Sequence, residues 1–166
     1  MRNILFLVTL ELLLSFSIKA QSNKSPEYIF QFNELTFHST GCNKSCPDIS
    51  VNINSEKKIQ LVRAIYSSTG QYDSLKSGTY KGILSDKDYK MLFRKLAKIN
   101  FDSLQFSEAM CCDLPIKTLL ISYNGKYKRF KSVTLPKETN DFINFLTQLS
   151  AKIPLPRYNK SIDFEE

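Results

Sequence analysis

The dipeptide Asn124-Gly125 stands at the centre of "IKTLLISYNGKYKRFKSV" (116–133), and no other feature restricts the fold so tightly. A two-residue connection between paired strands needs positive φ at both central positions, which Asn and Gly tolerate best. Its twist then matches that of antiparallel neighbours. The flanks are rich in β-branched and aromatic residues, as half-buried strands require. The chain must therefore contain an antiparallel hairpin, and any sheet built around it is antiparallel at that point.

The remaining pattern extends the sheet. "YIFQFNELTFHS" (28–39) alternates apolar and polar residues, with Phe30, Phe32, Leu35 and Phe37 on one face once a single irregular step is allowed. "DISVNIN" (48–54), the turn "SEKK" and "IQLVRAIY" (59–66) read as a second hairpin, and "GTYKGIL" (78–84) as a further short strand. Two helices follow from three- and four-residue spacing. In "LSDKDYKMLFRKLAKI" (84–99) the apolar stripe is Tyr89, Leu92, Phe93, Leu96 and Ile99. Ser85 is placed to cap it with Asp88 closing a short capping box, acids lie in the first turn, and Arg94, Lys95 and Lys98 lie near the end. Pro136 opens a second helix with Phe142, Phe145, Leu146 and Leu149 on one face, and Pro154 and Pro156 stop it. Hairpins outnumber crossovers, so the expected fold is α+β: an antiparallel sheet of about five to six strands with two helices packed on one face. A 166-residue chain with 42% hydrophobic residues suits one such core.

Domain organisation is set by the ends. Residues 1–20 carry Arg2, then the apolar run "ILFLVTLELLLSFSI", then a small residue at Ala20, the pattern of a cleaved signal peptide. A polar leader (21–27), a single domain (28–153) and a polar C-terminal tail (154–166) are expected to follow, with no transmembrane segment after cleavage. The mature protein is thus expected to be exported, periplasmic or extracellular. The formal charge is +7 and becomes +6 when Arg2, Lys19 and Glu11 leave with the signal. In that compartment the excess favours an anionic surface or an envelope protein over nucleic acid as partner, and it also keeps a small domain soluble.

The four cysteines bear most directly on chemistry. Cys42 and Cys46 lie in "STGCNKSCPD", Cys111 and Cys112 are adjacent, and an even number in an exported chain points to disulfides. Cys42 with Cys46 needs only a tight loop, whereas a vicinal Cys111–Cys112 bond makes a strained ring. A bond across the two loops is preferred here, closing about 65–70 residues for about 4 kcal/mol of chain entropy, with the second pair otherwise left partly free. A soft metal site for zinc or copper would draw on Cys42, Cys46 and His38, although Cys-x3-Cys is not a zinc-ribbon spacing. Redox chemistry would use the same two thiols, but without the Cys-x-x-Cys helix start that lowers a thiol pKa. The single His38 must serve any histidine-dependent dyad, and no nucleophile elbow, zincin motif or phosphate loop occurs. No catalytic residue and no cofactor are therefore assigned. Lys126, Lys128, Arg129 and Lys131 form a basic stretch that reads either as an edge strand guarded by charge or as an anion-contact surface.

Taken together, "GCNKSCP" (41–47), "LSDKDYKMLFRKLAKINFDSL" (84–104), "DLP" (113–115) and "LLISYNGKYKRF" (119–130) resemble the domain of unknown function 6438 family of exported bacterial envelope proteins. The resemblance covers about residues 35–150. Departures are Asn43 and Lys44, where the family loop usually carries an aromatic and a glycine, Ile49 in place of a common tyrosine, and the Cys111-Cys112 pair. What the resemblance implies is a small exported domain without an assigned activity. The expected function is accordingly a non-enzymatic binding or structural module of the cell envelope. The alternative is a thiol-disulfide or soft-metal-handling protein using Cys42 and Cys46.

Overall fold

The computed structural model describes residues 30–42, 46–106 and 114–164. The expected signal peptide, the leader, Asn43, Lys44, Cys111 and Cys112 lie outside the described residues. Six strands form one antiparallel sheet: β1 (Phe32–Ser39), β2 (Asp48–Asn54), β3 (Lys58–Ala64), β4 (Gly78–Ile83), β5 (Lys117–Tyr123) and β6 (Lys126–Ser132), in the order β4-β3-β2-β1-β5-β6. Helix α1 (Asp86–Leu96) follows β4, and α2 (Asn140–Lys152), entered through a 3-10 turn at Lys137–Thr139, follows β6. The α+β class and the single antiparallel sheet are as the sequence pattern requires.

Local chemistry explains the elements. The irregular step in β1 is a register shift between Phe32 and Glu34, which returns Leu35 and Phe37 to the buried face after Phe32. Asn124 and Gly125 have φ of 48° and 70°, the paired positive values of the hairpin turn expected between β5 and β6. Ser85 Oγ accepts the Asp88 N–H at 3.1 Å at the start of α1. The capping box is altered in one respect: the Asp88 carboxylate takes the Ser85 hydroxyl at 2.6 Å.

One face of the sheet is covered. Leu35, Phe37, Ile49, Val51, Ile53, Ile59, Leu61, Leu119 and Ile121 point inward and meet Leu92 and Leu96 of α1 and Phe142, Ile143 and Leu146 of α2 in one core. The helices are also tied to each other by Lys95 Nζ and Asp141 Oδ2 at 2.6 Å.

A charged residue lies inside this layer. Arg63 on β3 is 8% exposed. Its Nε donates to Lys76 O at 2.7 Å and its Nη1 to Ser150 O at 2.7 Å and Ile153 O at 3.4 Å. The guanidinium lies 4.5 Å from the Tyr80 ring centre, and the Tyr80 hydroxyl donates to Lys76 O and Ser77 O. The cation therefore caps the carbonyl end of α2, where the helix dipole favours positive charge. It needs no carboxylate because carbonyls and an aromatic face replace its water.

Beyond α2 the chain returns to the sheet. Arg157 bridges antiparallel to Tyr80, Tyr158 N donates to Thr79 O at 2.8 Å, and Lys81 N donates to Pro156 O at 3.4 Å. Gly82 permits this approach, since a Cβ there would stand 2.7 Å from Leu155 Cδ2. Residues 155–158, within the segment read from sequence as a polar tail, thus lie along the outer edge of β4.

Replacing Arg63 by Met keeps an apolar stem but strands buried carbonyls. The expected loss is about 2–3 kcal/mol of unfolding free energy, measured from urea midpoints. Ser150→Ala should do the opposite. The Ser150 hydroxyl is fully buried and has no hydrogen-bond partner among the described residues, so its removal should raise stability by about 0.5–1 kcal/mol in the same assay.

Candidate functional site

The side of the sheet away from the helices is polar. Because strand residues alternate, Thr36 and His38 of β1, Ser50 and Asn52 of β2, Thr118 and Leu120 of β5, and Tyr127, Arg129 and Lys131 of β6 share this open face. A groove crosses it. One part, of about 440 Å³, is lined by Thr36, His38, Ser50, Thr118, Leu120, Arg129 and Lys131, with Ile162, Asp163 and Phe164 on its other side. A second part, of about 270 Å³, continues past Glu34, Asn52, Gln60 and Tyr127 and is bounded by the same Asp163 and Phe164.

Register brings the sequence candidates together in part. His38 pairs with Ser50 on β2 and Thr118 on β5, and Thr118 pairs with Lys131 on β6. Three of the singled-out residues, His38, Arg129 and Lys131, therefore line one groove. The other two cations of the basic stretch do not join them. Lys126 and Lys128 project to the helix side, where Lys126 Nζ meets Asp102 Oδ2 at 2.6 Å and Lys128 Nζ lies 3.9 Å from Asp102 Oδ1. Tyr123 also donates to Asp102, at 3.0 Å. The basic stretch is thus split by the pleat: one half is neutralised by Asp102, while no carboxylate pairs with the side chains of Arg129 and Lys131 among the described residues.

His38 Nδ1 and Ser50 Oγ are 2.6 Å apart. That is the distance of a nucleophile and its base, yet the surroundings do not suit acyl transfer. Both residues sit on interior strands of the sheet, whose backbone N–H groups are taken up by the ladders on either side, so neither strand turns a backbone donor toward an oxyanion. The pair instead fixes the imidazole as part of the groove floor.

The cysteine loop closes at the neighbouring end of the sheet. Cys42 and Cys46 form a disulfide with Cα atoms 5.1 Å apart. This corrects the preferred bond across the two loops. The strand register explains it: β1 ends at Ser39 and β2 begins at Asp48 opposite Ala64, so the connection must double back within a few residues, and its two sulfurs meet first. A loop this short removes about 2 kcal/mol of chain entropy in place of the larger value expected for the long cross-link. With both sulfurs bonded to each other, neither is available as a thiolate ligand beside His38. The start of β5 is pinned beside this loop, where Thr40 N donates to Ile116 O at 3.0 Å and Ile116 N donates to Thr40 Oγ1 at 2.9 Å.

The groove's upper wall, Ile162–Phe164, and the buried Arg63 were not among the residues singled out from sequence. The first lies in a stretch with no periodicity. The second falls at an inward position of β3, where the alternation of "IQLVRA" marks a core site, and that was the available signal.

A family model described as "Domain of unknown function (DUF6438)" matches residues 33–150, which runs from Asn33 of β1 through the other five strands and α1 to Ser150 of α2. No curated protein matches.

The ion cluster at Asp102 makes a pH prediction. The Lys126 ammonium, then the Tyr123 hydroxyl, hold the Asp102 carboxyl below the ordinary aspartate value of 3.8. A lowered folded-state pKa adds stability that is fully present above the unfolded value and is lost as pH falls through the folded one. Acid unfolding of the Asp102→Asn variant should therefore show a shallower dependence below pH 3.8 than the unaltered chain, with no difference in slope near neutrality. Carboxyl NMR titration of Asp102 reads the same shift directly.

Proposed function

The chain belongs to the family known only as domain of unknown function 6438, and from that premise we propose an exported, non-enzymatic binding module of the cell envelope. Its contact surface is the basic groove on the open face. The observation that carries this reading is the convergence of His38 from β1 with Arg129 and Lys131 from β6, the two cations unpaired by carboxylates among the described residues. A flat polar face floored by hydroxyls and edged by arginine and lysine suits an anionic partner. Arginine offers a planar fork to carboxylate or phosphate and lysine a point charge. The signal-like run at residues 1–20 supports export, and export agrees with a disulfide that persists. Among the described residues no helix is long and apolar enough to cross a membrane.

The test is co-sedimentation with vesicles of phosphatidylglycerol and phosphatidylcholine. Binding should fall at least tenfold for Arg129→Glu/Lys131→Glu and less than twofold for Lys126→Ala, whose charge is already spent on Asp102. It should also weaken steeply with salt. Equal losses for the two variants would sink the groove as the contact surface. Recovery of a chain beginning at Gln21 from outside the cytoplasm checks export separately.

A second reading has one observation in its favour. The Cys42–Cys46 bond closes a single short loop, so it can open and close without separating two parts of the fold. A thiol-disulfide role requires a reduction potential in the range of about −120 to −270 mV. Equilibration with glutathione measures it, and a value below about −300 mV leaves the bond structural.

A further inference from the structure

We infer that the groove is a docking channel for an extended acidic–aromatic segment of a partner protein, and that residues 162–164 of the chain itself occupy it as a displaceable stand-in. The inference rests on the reading of the groove as the contact surface and specifies what that surface takes.

The segment after α2 has two parts that are held differently. Residues 155–158 are anchored: they pair with β4, Leu155 fits over Gly82, and Arg157 Nη2 donates to Ser74 O at 2.6 Å and Leu75 O at 3.0 Å. From the outer edge of β4, residues 159–161 carry the chain onto the open face of the sheet. Ile162, Asp163 and Phe164 then lie over Thr36 and Leu120 and form the wall shared by both parts of the groove. Unlike the anchor, they engage no hydrogen bond or ion pair among the described residues. Phe164 and Ile162 are only half-buried and Asp163 is exposed. An occupant held without a hydrogen bond or ion pair is one that a better-bonded segment can replace.

The chemistry of the stand-in names the class of ligand. Asp163 and Phe164, an acid beside an aromatic, line the groove together with Arg129 and Lys131. Leu120 and Ile116 offer apolar surface to an aromatic ring, among the hydroxyls of Thr36, Ser50 and Thr118. A segment with a carboxylate beside an aromatic would meet both, while a purely acidic polymer would leave the apolar floor unused. The chain's own segment competes at the high effective concentration of a short tether, on the order of millimolar, so the unaltered chain should bind such partners weakly.

The experiment uses the full chain and a fluorescein-labelled peptide, NKSIDFEE, read by polarisation. In the Ile162→Ala/Phe164→Ala chain the stand-in is weakened while the 155–158 anchor is kept, so circular dichroism and the urea midpoint should stay within error. This chain should bind the peptide at least tenfold tighter than the unaltered one. Adding Arg129→Glu/Lys131→Glu should remove at least tenfold, and so should changing the peptide to NKSINFEE or NKSIDAEE. A folded released chain that binds no tighter, or that binds the altered peptides equally, overturns the inference. Concentration-dependent dimerisation of the unaltered chain, lost on Phe164→Ala, overturns it in favour of a second copy as the occupant. Vesicle binding without peptide binding overturns this inference alone. Loss of both overturns the groove as a contact surface.

Discussion

The pairing of β1 with β5 holds the molecule together. The first four strands form a meander that neighbours in sequence can build, and β5 with β6 is a self-contained hairpin. What joins them is one long-range ladder, in which Phe32–Ser39 runs against Tyr123–Lys117. To reach it the chain leaves β4 at the far edge, crosses the inner face as α1, and returns beside the first strand. Such a closure costs chain entropy before any contact repays it. The repayment is visible in the core, where Phe37 and Leu119, and Leu35 and Ile121, stand opposite each other and are fully or almost fully buried. The same ladder also builds the groove. His38 and Thr118 face each other across it, so the floor exists only when the two halves have joined.

Arg63 performs a second joining, between layers. Its guanidinium reaches the β3–β4 connection and the end of α2 together, and shares the Tyr80 ring with Arg157, whose guanidinium lies 5.8 Å from the ring centre. The direction in which the chain leaves α2 is thereby set by a buried charge, and that direction carries the following residues along β4. A hydrophobic residue of similar volume would fill the space, but it could not satisfy carbonyls from two elements. The position is one where specificity of arrangement accounts for a cation in the core.

Much of the fold was legible because it is local. The Asn-Gly turn, the irregular step before Glu34, and the apolar stripe of α1 each follow from a few adjacent residues, and the structure bears out each. The site was legible only in pieces. Alternation along β6 separates Arg129 and Lys131 from Lys126 and Lys128, but which pair takes the open face required deciding which side of the strand was covered. The inward Phe130 alone hinted at this, since it sits with the lysines on the same face. Asp102, which neutralises one half of the basic stretch, comes from a loop more than twenty residues earlier, and no periodicity connects the two. The disulfide was misjudged for a related reason. Entropy favours long cross-links, but which sulfurs can meet is decided by where strands end, a matter of register that spacing does not reveal.

The anchored stretch along β4 has a consequence for how copies of this protein can meet. A sheet grows when edge strands add to one another, and growth without limit needs an acceptor on both sides. Here Arg157 and Tyr158 already use the β4 side, leaving β6 as the outer strand on the other. Two molecules that met along β6 would each spend that edge on the other. A strand that added at β4 would first have to displace the anchored stretch, so the two edges of the sheet are not equally open to a neighbour.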